Sequence, residues 1–322
     1  MRGPEIKQDK PKIVVVGSSN MDLVVKSPRI PAMGETILGE DFIMTPGGKG
    51  ANQAVAAAKL GAEVYFIAKL GDDVFAEQSL NNLKKEAVNT KYVTQIKEAP
   101  SGVALITVDD AGNNVIVVAP GANQKLSAED VKEAESDISS SGALVAQLEV
   151  PLKTVEFAAQ LANDSGVPFI LDPAPAQKLS PALLKMVDVL TPNETEAQIL
   201  TGIEVTSNRD SARMASENLL ECGAKAVILT MGAKGFLLAT NDRTEFVPAI
   251  KADAVDATAA GDAFTGALAF GLAGGRKLFE AALFAGHVAA LSVTKMGAQS
   301  SMPTAEEVES FMKENSCSRS KQ

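Results

Sequence analysis

The stretch LVAQLEVPLKTVEFAAQLANDSGVPFILD, Leu144 to Asp172, decides the fold. It opens with a short apolar run, Leu144 to Leu148. Helix-period residues follow from Thr154 to Ser165 and stop at Gly166, and a second apolar run occupies Pro168 to Leu171. Short apolar runs bounded by turn signals read as buried strands, and a glycine after the last periodic residue is a helix stop. Strand, helix and strand in succession form the crossover that parallel neighbours require. The alternation recurs outward in both directions. Strand-like runs lie at Ile13 to Val16, Val64 to Ala68, Val187 to Leu190 and Ala226 to Leu229. Helical stretches lie at Ala51 to Leu60 before Gly61 and Arg209 to Cys222 before Gly223. The expected fold is an α/β three-layer sandwich with a mostly parallel central sheet flanked by helices. Toward the C-terminus the chain reads as helical at Ala260 to Ala273, Phe279 to Thr294 and Thr304 to Lys313, the last opened by a Thr304/Glu307 capping box.

Two segments break this rhythm. Residues 23–46 and 101–120 carry strand-like runs with no helix between them, and Asp110-Ala111-Gly112-Asn113 is a turn signal. They read as hairpins outside the main sheet, either a β-strand lid over a cleft or an antiparallel edge. The folded domain is expected over residues 12–314, with residues 1–11 a polar, disordered leader and residues 315–322 a tail.

Composition narrows the function. Forty acidic residues against 30 basic ones give a net charge of −10, which excludes an electrostatic nucleic-acid binder. With 46% hydrophobic and 22% charged residues, the chain is that of a globular protein rather than a disordered or fibrous one. No uncharged run reaches the roughly 18 to 20 residues of a membrane span, and the polar N-terminus carries no secretory signal. Two cysteines, Cys222 and Cys317, lie far apart and suit a reducing compartment. A cytoplasmic location is expected, with an organellar one after transit-peptide removal left open. The single histidine, His287, sits in an apolar helical run, where packing or ligand lining is its reading. A catalytic base is therefore expected to be a carboxylate.

Three sets of residues carry chemistry. In Val255-Asp256-Ala257-Thr258-Ala259-Ala260-Gly261-Asp262, small residues precede an aspartate at the start of an apolar helix. Backbone N–H groups and the helix dipole suit an anion there, and Asp262 beside it reads as a general base or as a helix cap. Pro46-Gly47-Gly48-Lys49-Gly50-Ala51-Asn52 opens another helix without P-loop spacing. Lys49 and Asn52 offer donors for sugar hydroxyls or belong to a plain tight turn. Asn20, Asp22, Glu149, Asn193, Glu196 and the Thr230 to Gly235 stretch all follow strand ends, where open α/β sheets collect ligands. Asn193 with Glu196 also reads as a helix cap.

Together these stretches resemble the ribokinase-like (PfkB) carbohydrate kinase family over about Lys12 to Met312. The resemblance is carried by Asn20-Met21-Asp22, the turn from Gly47 to Asn52 running on to Val55, Pro120 to Asn123, Gln147-Leu148-Glu149, Asp172 to Ala176, Thr191 to Glu196, Asp256 to Asp262 and Gly297 to Ser301. It implies transfer of the ATP γ-phosphoryl group to O5 of D-ribose. Asp262 would be the base, and the amides of Ala259, Ala260 and Gly261 the anion hole. Asn20, Asp22, Gly48, Lys49, Asn52 and Glu149 would hold the pentose. Asn193 and Glu196 would serve the phosphates and Mg2+, Thr230, Gly232 and Gly235 the nucleotide, and His287 would lie near the adenine. A potassium ion would be held by Asp256, Thr258, Ser292, Lys295, Gly297 and Ser301, mostly through carbonyl oxygens. A lid-mediated homodimer is also implied. Ala257 and Gly286 depart from the family, which usually has Thr and often a polar residue there. Competing expectations are a sibling kinase of 2-deoxyribose, fructose or a nucleoside, and a catalytically silent sugar or nucleotide sensor.

Overall fold

The computed structural model describes residues 10–206 and 209–319. The expected leader falls outside them except at its last two residues. Thirteen strands are present among the described residues: β1 (Lys12–Val16), β2 (Asn20–Lys26), β3 (Phe42–Gly47), β4 (Glu63–Gly71), β5 (Asn89–Ile96), β6 (Gly102–Val108), β7 (Asn114–Ala119), β8 (Ala143–Ala146), β9 (Phe169–Leu171), β10 (Val189–Leu190), β11 (Ala226–Thr230), β12 (Gly235–Thr240) and β13 (Thr244–Pro248). The helices are α1 (Lys49–Lys59), α2 (Val74–Lys85), α3 (Ala128–Glu133), α4 (Glu135–Ser139), α5 (Leu152–Ser165), α6 (Pro181–Leu184), α7 (Glu194–Thr201), α8 (Arg209–Glu221), α9 (Ala260–Ala273), α10 (Leu278–Ser292) and α11 (Ala305–Arg319).

Nine strands form one sheet in the order β13-β12-β11-β10-β9-β8-β1-β4-β5. Pairing is parallel from β11 to β5, and β12 and β13 close one edge antiparallel. The inner strands are apolar on both faces because both are covered. Along β1, Val14 and Val16 face one core and Ile13 and Val15 the other; in β8, Leu144 and Ala146 oppose Ala143 and Val145 in the same way. Helices α3 to α8 pack on the first face, and α1, α2, α9, α10 and α11 on the second. This is the three-layer sandwich expected from the alternation.

The antiparallel edge β12–β13 was not expected, since its strands are short and polar toward their ends. Helix α11 runs past residue 314, where the tail was expected, because Lys313 to Arg319 contains no glycine or proline to stop it.

The two irregular segments form a separate four-stranded sheet, β3-β2-β6-β7. Strands β2 and β3 pair antiparallel, as do β6 and β7, while β2 and β6 pair parallel and join the two halves into one mixed sheet. That parallel pair corrects the simple hairpin reading: strands separated by more than 70 residues leave no local signal of their partnership. At the turn, the Asp109 carboxylate accepts from the amides of Ala111 and Asn113.

Helices α1 and α9 pack closely at Gly266, where an added Cβ would lie 2.6 Å from the Gln53 carbonyl oxygen and 2.7 Å from Ala56 Cβ. Gly266→Ala is expected to destabilise the fold by about 1–3 kcal/mol through overpacking. A lowered urea midpoint at unchanged slope would register it, and an unshifted midpoint would contradict the close contact.

Candidate active site

Strand order reverses between β1 and β8, so the crevice at their carboxyl ends is the switch point at which open α/β sheets bind ligands. Both flanking turns reach into it. Ser18, after β1, hydrogen-bonds the Glu149 carboxylate, after β8. Glu149 also accepts from the Lys49 amide (3.1 Å), placing a carboxylate at the N-terminus of α1. Gly48, with φ 89°, precedes that helix, and a Cβ there would strike the Asn20 amide at 2.7 Å. A glycine is required by both conformation and space.

Asn20 and Asp22 begin the small sheet. Asn20 accepts from Asn123 Nδ2 (2.7 Å), and Asn123 in turn accepts from the Ser19 amide (2.9 Å). A Cβ on Gly47 would overlap the Asp22 carboxylate, so that glycine makes the space this acid occupies. Burial first, then the neighbouring Glu149 and Asp262, push the Asp22 carboxyl up to about 7.

Asp262 lies in the first turn of α9. Its Oδ2 accepts from Asn52 Nδ2 (2.9 Å) and its Oδ1 from Gln53 Nε2 (3.0 Å). Both bonds cross to α1 instead of turning back onto its own helix, so Asp262 is not spent as a cap. The cap position is held by Ala259 in a left-handed conformation, φ 59°, which costs a non-glycine residue roughly 1–2 kcal/mol. Strain of this kind gathers at functional turns. The Ala260 amide donates to the Ala257 carbonyl (3.2 Å), while the first intrahelical bond is Ala263 to Ala259. The Gly261 and Asp262 amides therefore have no carbonyl partner on the amino side, where a helix N–H donates.

A cavity of about 180 Å³ collects the two ends of the site. It is lined by Lys49, Asp262, Gly261, Ala260 and Ala259 on one side, and by Asp172, Thr191, Asn193, Glu196 and Thr230 on the other, with Ala257 and Thr265. Burial opposes the Lys49 charge, but Asp262, Asp172, Glu149 and Glu196 outweigh it and hold the ammonium firmly protonated. Burial pushes the Asp172 carboxyl well up against the opposing pull of Lys49, and burial likewise raises Glu196. Asn193 and Glu196 form a reciprocal capping box at α7, bonded at 2.8 Å both ways. They cap the helix and line the cavity at once.

The other expected positions divide. The Gly232–Lys234 turn follows Thr230, tied to α7 by Lys234 and Glu194 (3.0 Å). Gly235 has a packing reason, since a Cβ there would sit 2.0 Å from the Val247 carbonyl. His287 does not line the cavity; its Nδ1 lies 2.9 Å from the Leu283 carbonyl and its ring meets the edge of Phe311 in α11. The six expected potassium positions fall on the segment before α9 (Asp256, Thr258) and on the end of α10 with the turn after it (Ser292, Lys295, Gly297, Ser301). The Asp256 carboxylate accepts from the amides of Thr258 (2.9 Å) and Gly297 (2.8 Å); burial raises it, but the Thr258 side chain and these two amides outweigh that and hold it below its ordinary range. Ser292 accepts from the Lys295 amide (3.1 Å), Lys295 Nζ turns away to Glu307 (2.6 Å), and Ser301 donates to Ala298 (2.8 Å).

Sequence reasoning gave no role to Asp172, Gln53 or Gln147. Asp172 directly follows β9, the same strand-end signal that marked the others. The two glutamines lie inside quoted motifs but carry no charge pattern that singles them out.

A doubly wound sheet, a carboxylate facing a helix N-terminus in one cavity, and a second sheet beside it define a small-molecule kinase of the open α/β type. The pfkB family carbohydrate kinase pattern matches residues 10–305, and the chain belongs to that family. It is 42% identical to a ribokinase of Haemophilus influenzae over 93% of this chain and 98% of that one. It is 40% identical to a deoxyribokinase of Salmonella typhi over 94% and 99%. The structure of Arabidopsis thaliana ribokinase complexed with ribose and ATP superposes with a TM-score of 0.87 at 33% identity, covering 94% of this chain and 99% of that one.

The raised Asp22 carboxyl sets a pH signature. The folded protein keeps a proton that the unfolded chain, titrating near 3.8, has released, so Asp22 costs stability as pH rises through the window from about 4 to 7. Asp22→Asn removes that cost. In sugar-free urea melts, the variant should gain on wild type between pH 5 and pH 8; an equal gap at both would refute the shift.

Proposed function

We propose that this protein transfers the γ-phosphoryl group of MgATP to O5 of D-ribose, giving ribose 5-phosphate and ADP. The observation that carries the reading is Asp262, with both oxygens pinned by Asn52 and Gln53, in one cavity with Lys49 and the first turn of α9. The O5 proton passes to Asp262 as the O5–P bond forms and the bond from the γ-phosphorus to ADP breaks. Lys49 and the free Gly261 amide stabilise the transferring charge, with Ala259 setting the direction of the turn and the Ala260 amide joining only if it leaves the Ala257 carbonyl. Asn20, Asp22, Gly48, Lys49, Asn52 and Glu149 hold the pentose. Asn52 Oδ1 is buried without a donor, an acceptor that a sugar hydroxyl satisfies. The relatives named ribokinase, and the neighbour complexed with ribose and ATP, support this choice of substrates.

The donor set also suits Mg2+, which binds through one or two carboxylates plus substrate phosphates. Glu196 and Asn193 would hold it, neutralising phosphate charge. Thr230, Gly232 and Gly235 would border the nucleotide, with His287 near the adenine. Asp256 is anionic and has no cationic side chain bonded to it among the described residues, which fits a potassium ion held with Thr258, Ser292, Lys295, Gly297 and Ser301. No helix among the described residues is long and apolar enough to cross a membrane, and a cytoplasmic location is the reading kept.

The small sheet supports a homodimer. Met44, Leu23, Leu105 and Val117 follow one another in register across the sheet on the face opposite Asp22, and Met44, Leu105 and Val117 are each about half exposed or more. A contiguous apolar face of this kind marks an interaction surface. The deoxyribokinase relative favours a second reading, with 2-deoxyribose as acceptor.

Coupled ADP release with MgATP and D-ribose, with and without potassium and beside 2-deoxyribose, tests the reaction. Ribose turnover that rises with potassium is expected; faster 2-deoxyribose turnover favours the second reading. Asp262→Asn should cut turnover by at least about 10²- to 10⁴-fold, and retention within a few-fold would remove Asp262 as base. Light scattering should give a dimer mass for wild type and a monomer mass for Val117→Glu; a monomeric wild type would end the dimer proposal.

A further inference from the structure

We infer that Gln53, itself oriented by Gln147, is the positioning residue that fixes the Asp262 carboxylate for proton transfer; the inference rests on the kinase reading above. Gln53 is wholly buried in α1. The two protons of its amide are both used, one toward Asp262 Oδ1 (3.0 Å) and one toward Asp172 Oδ2 (2.7 Å). Its Oε1 accepts from Gln147 Nε2 (2.6 Å). Turned over, the amide would aim its oxygen at two carboxylates and its NH2 at another NH2. Gln147 therefore leaves Gln53 one orientation.

The placement of Gln147 is built into the backbone. A Cβ on Gly17 would lie 2.1 Å from Gln147 Oε1, so the glycine after β1 reserves room for this side chain. Gln147 makes its bond to Gln53 even though its own Oε1 is left buried without a partner. A buried unpaired acceptor is costly, a cost that a purely structural filler such as Leu or Met would not incur.

Asn52 holds the other oxygen of Asp262, but Asn52 is also assigned to the sugar. Gln53 is the contact that does not depend on substrate. It bonds two neighbouring carboxylates at once and keeps them apart, whereas Lys49 faces both as a charge. Without the Gln53 amide, Asp262 keeps only its Asn52 bond and can turn about it toward the Lys49 charge. The sugar keeps its proposed contacts with Asn20, Asp22, Gly48, Lys49, Asn52 and Glu149 and loses only the alignment of O5 with Asp262, so the loss falls on turnover far more than on sugar binding.

The test is steady-state kinetics of Gln53→Met, Gln147→Leu and the double variant, using the sugar that wild type turns over fastest. A failure of the ribose assignment then shows in the wild-type series and leaves the variant ratios readable. Gln53→Met should lower kcat about 10²-fold, the scale of a small misplacement of a reacting group, with sugar KM changed by less than about threefold. Gln147→Leu should lower kcat by a smaller factor, again at unchanged KM. Because Gln147 acts through Gln53, adding Gln147→Leu to Gln53→Met should cost less than about a further threefold, the non-additivity of a shared contact. A kcat near wild type in Gln53→Met, a loss confined to KM, or losses that multiply would overturn the inference. If Gln53→Met does not fold by circular dichroism, Gln147→Leu decides alone: lowered kcat at constant KM supports it, and unchanged kcat overturns it.

Discussion

The site depends on one junction, the pair of hydrogen bonds by which Asn52 and Gln53 at the start of α1 grip Asp262 at the start of α9. Two helix N-termini, 210 residues apart in sequence, meet there over the carboxyl end of the sheet. Their approach needs residues without side chains. A Cβ on Gly50 would touch the Gly17 backbone at 2.7 Å, and Gly266 plays the same part where α1 and α9 cross. Helix N-termini carry partial positive charge, so the junction is where a carboxylate is tolerated and where an anion is stabilised.

The small sheet is tied to the same junction. Strand β2 begins at Asn20, only a short turn after β1 ends at Val16, and β3 ends at Gly47, immediately before α1. Any displacement of the small sheet therefore moves Asn20 and Asp22 at one root and Gly48 and Lys49 at the other. The Asn20–Asn123 bond adds a third root, because Asn123 follows β7 in the turn that returns the chain to the main layers. A covering sheet rooted in this way couples its position to the sugar end of the cavity, the requirement for closure around a substrate.

Much of this was legible before any coordinates. The crossover from Leu144 to Leu171 dictated a parallel sheet, and the strand-end rule brought Asn20, Asp22, Glu149, Asn193 and Thr230 to one crevice. The parallel pairing of β2 with β6 was not legible, because register between distant strands is written in tertiary packing and not in either strand alone. Gln53, Gln147 and Asp172 escaped for a different reason. Their importance lies in what they bond to, and an uncharged amide in an alanine-rich helix looks the same whether it faces solvent or two carboxylates. His287 and Gly235 differ again, since each has packing partners in the fold, Leu283 and Phe311 for the first and the Val247 carbonyl for the second, that its residue type does not announce.

Charge balance in the cavity sets what it can accept. Asp172, Glu196 and Asp262 line it together with the Lys49 ammonium, Glu149 also acts on that ammonium, and Asp22 lies beside Glu149 and Asp262. A buried surplus of carboxylates is costly, and the raised Asp22 and Asp172 carboxyls show part of that cost being relieved by protonation. The end of the site proposed to hold the sugar is thus rich in acceptors and poor in donors, and the orphaned Asn52 Oδ1 adds one more acceptor. Such a lining selects by the donors a ligand brings: a neutral polyol satisfies it, while an anionic sugar enters a cluster already crowded with acidic side chains. The anion is welcome only at the opposite wall, where α9 begins. Phosphorylation consequently converts a group bound by acceptors into one repelled by them, so the arrangement that captures the alcohol also favours departure of its phosphate ester.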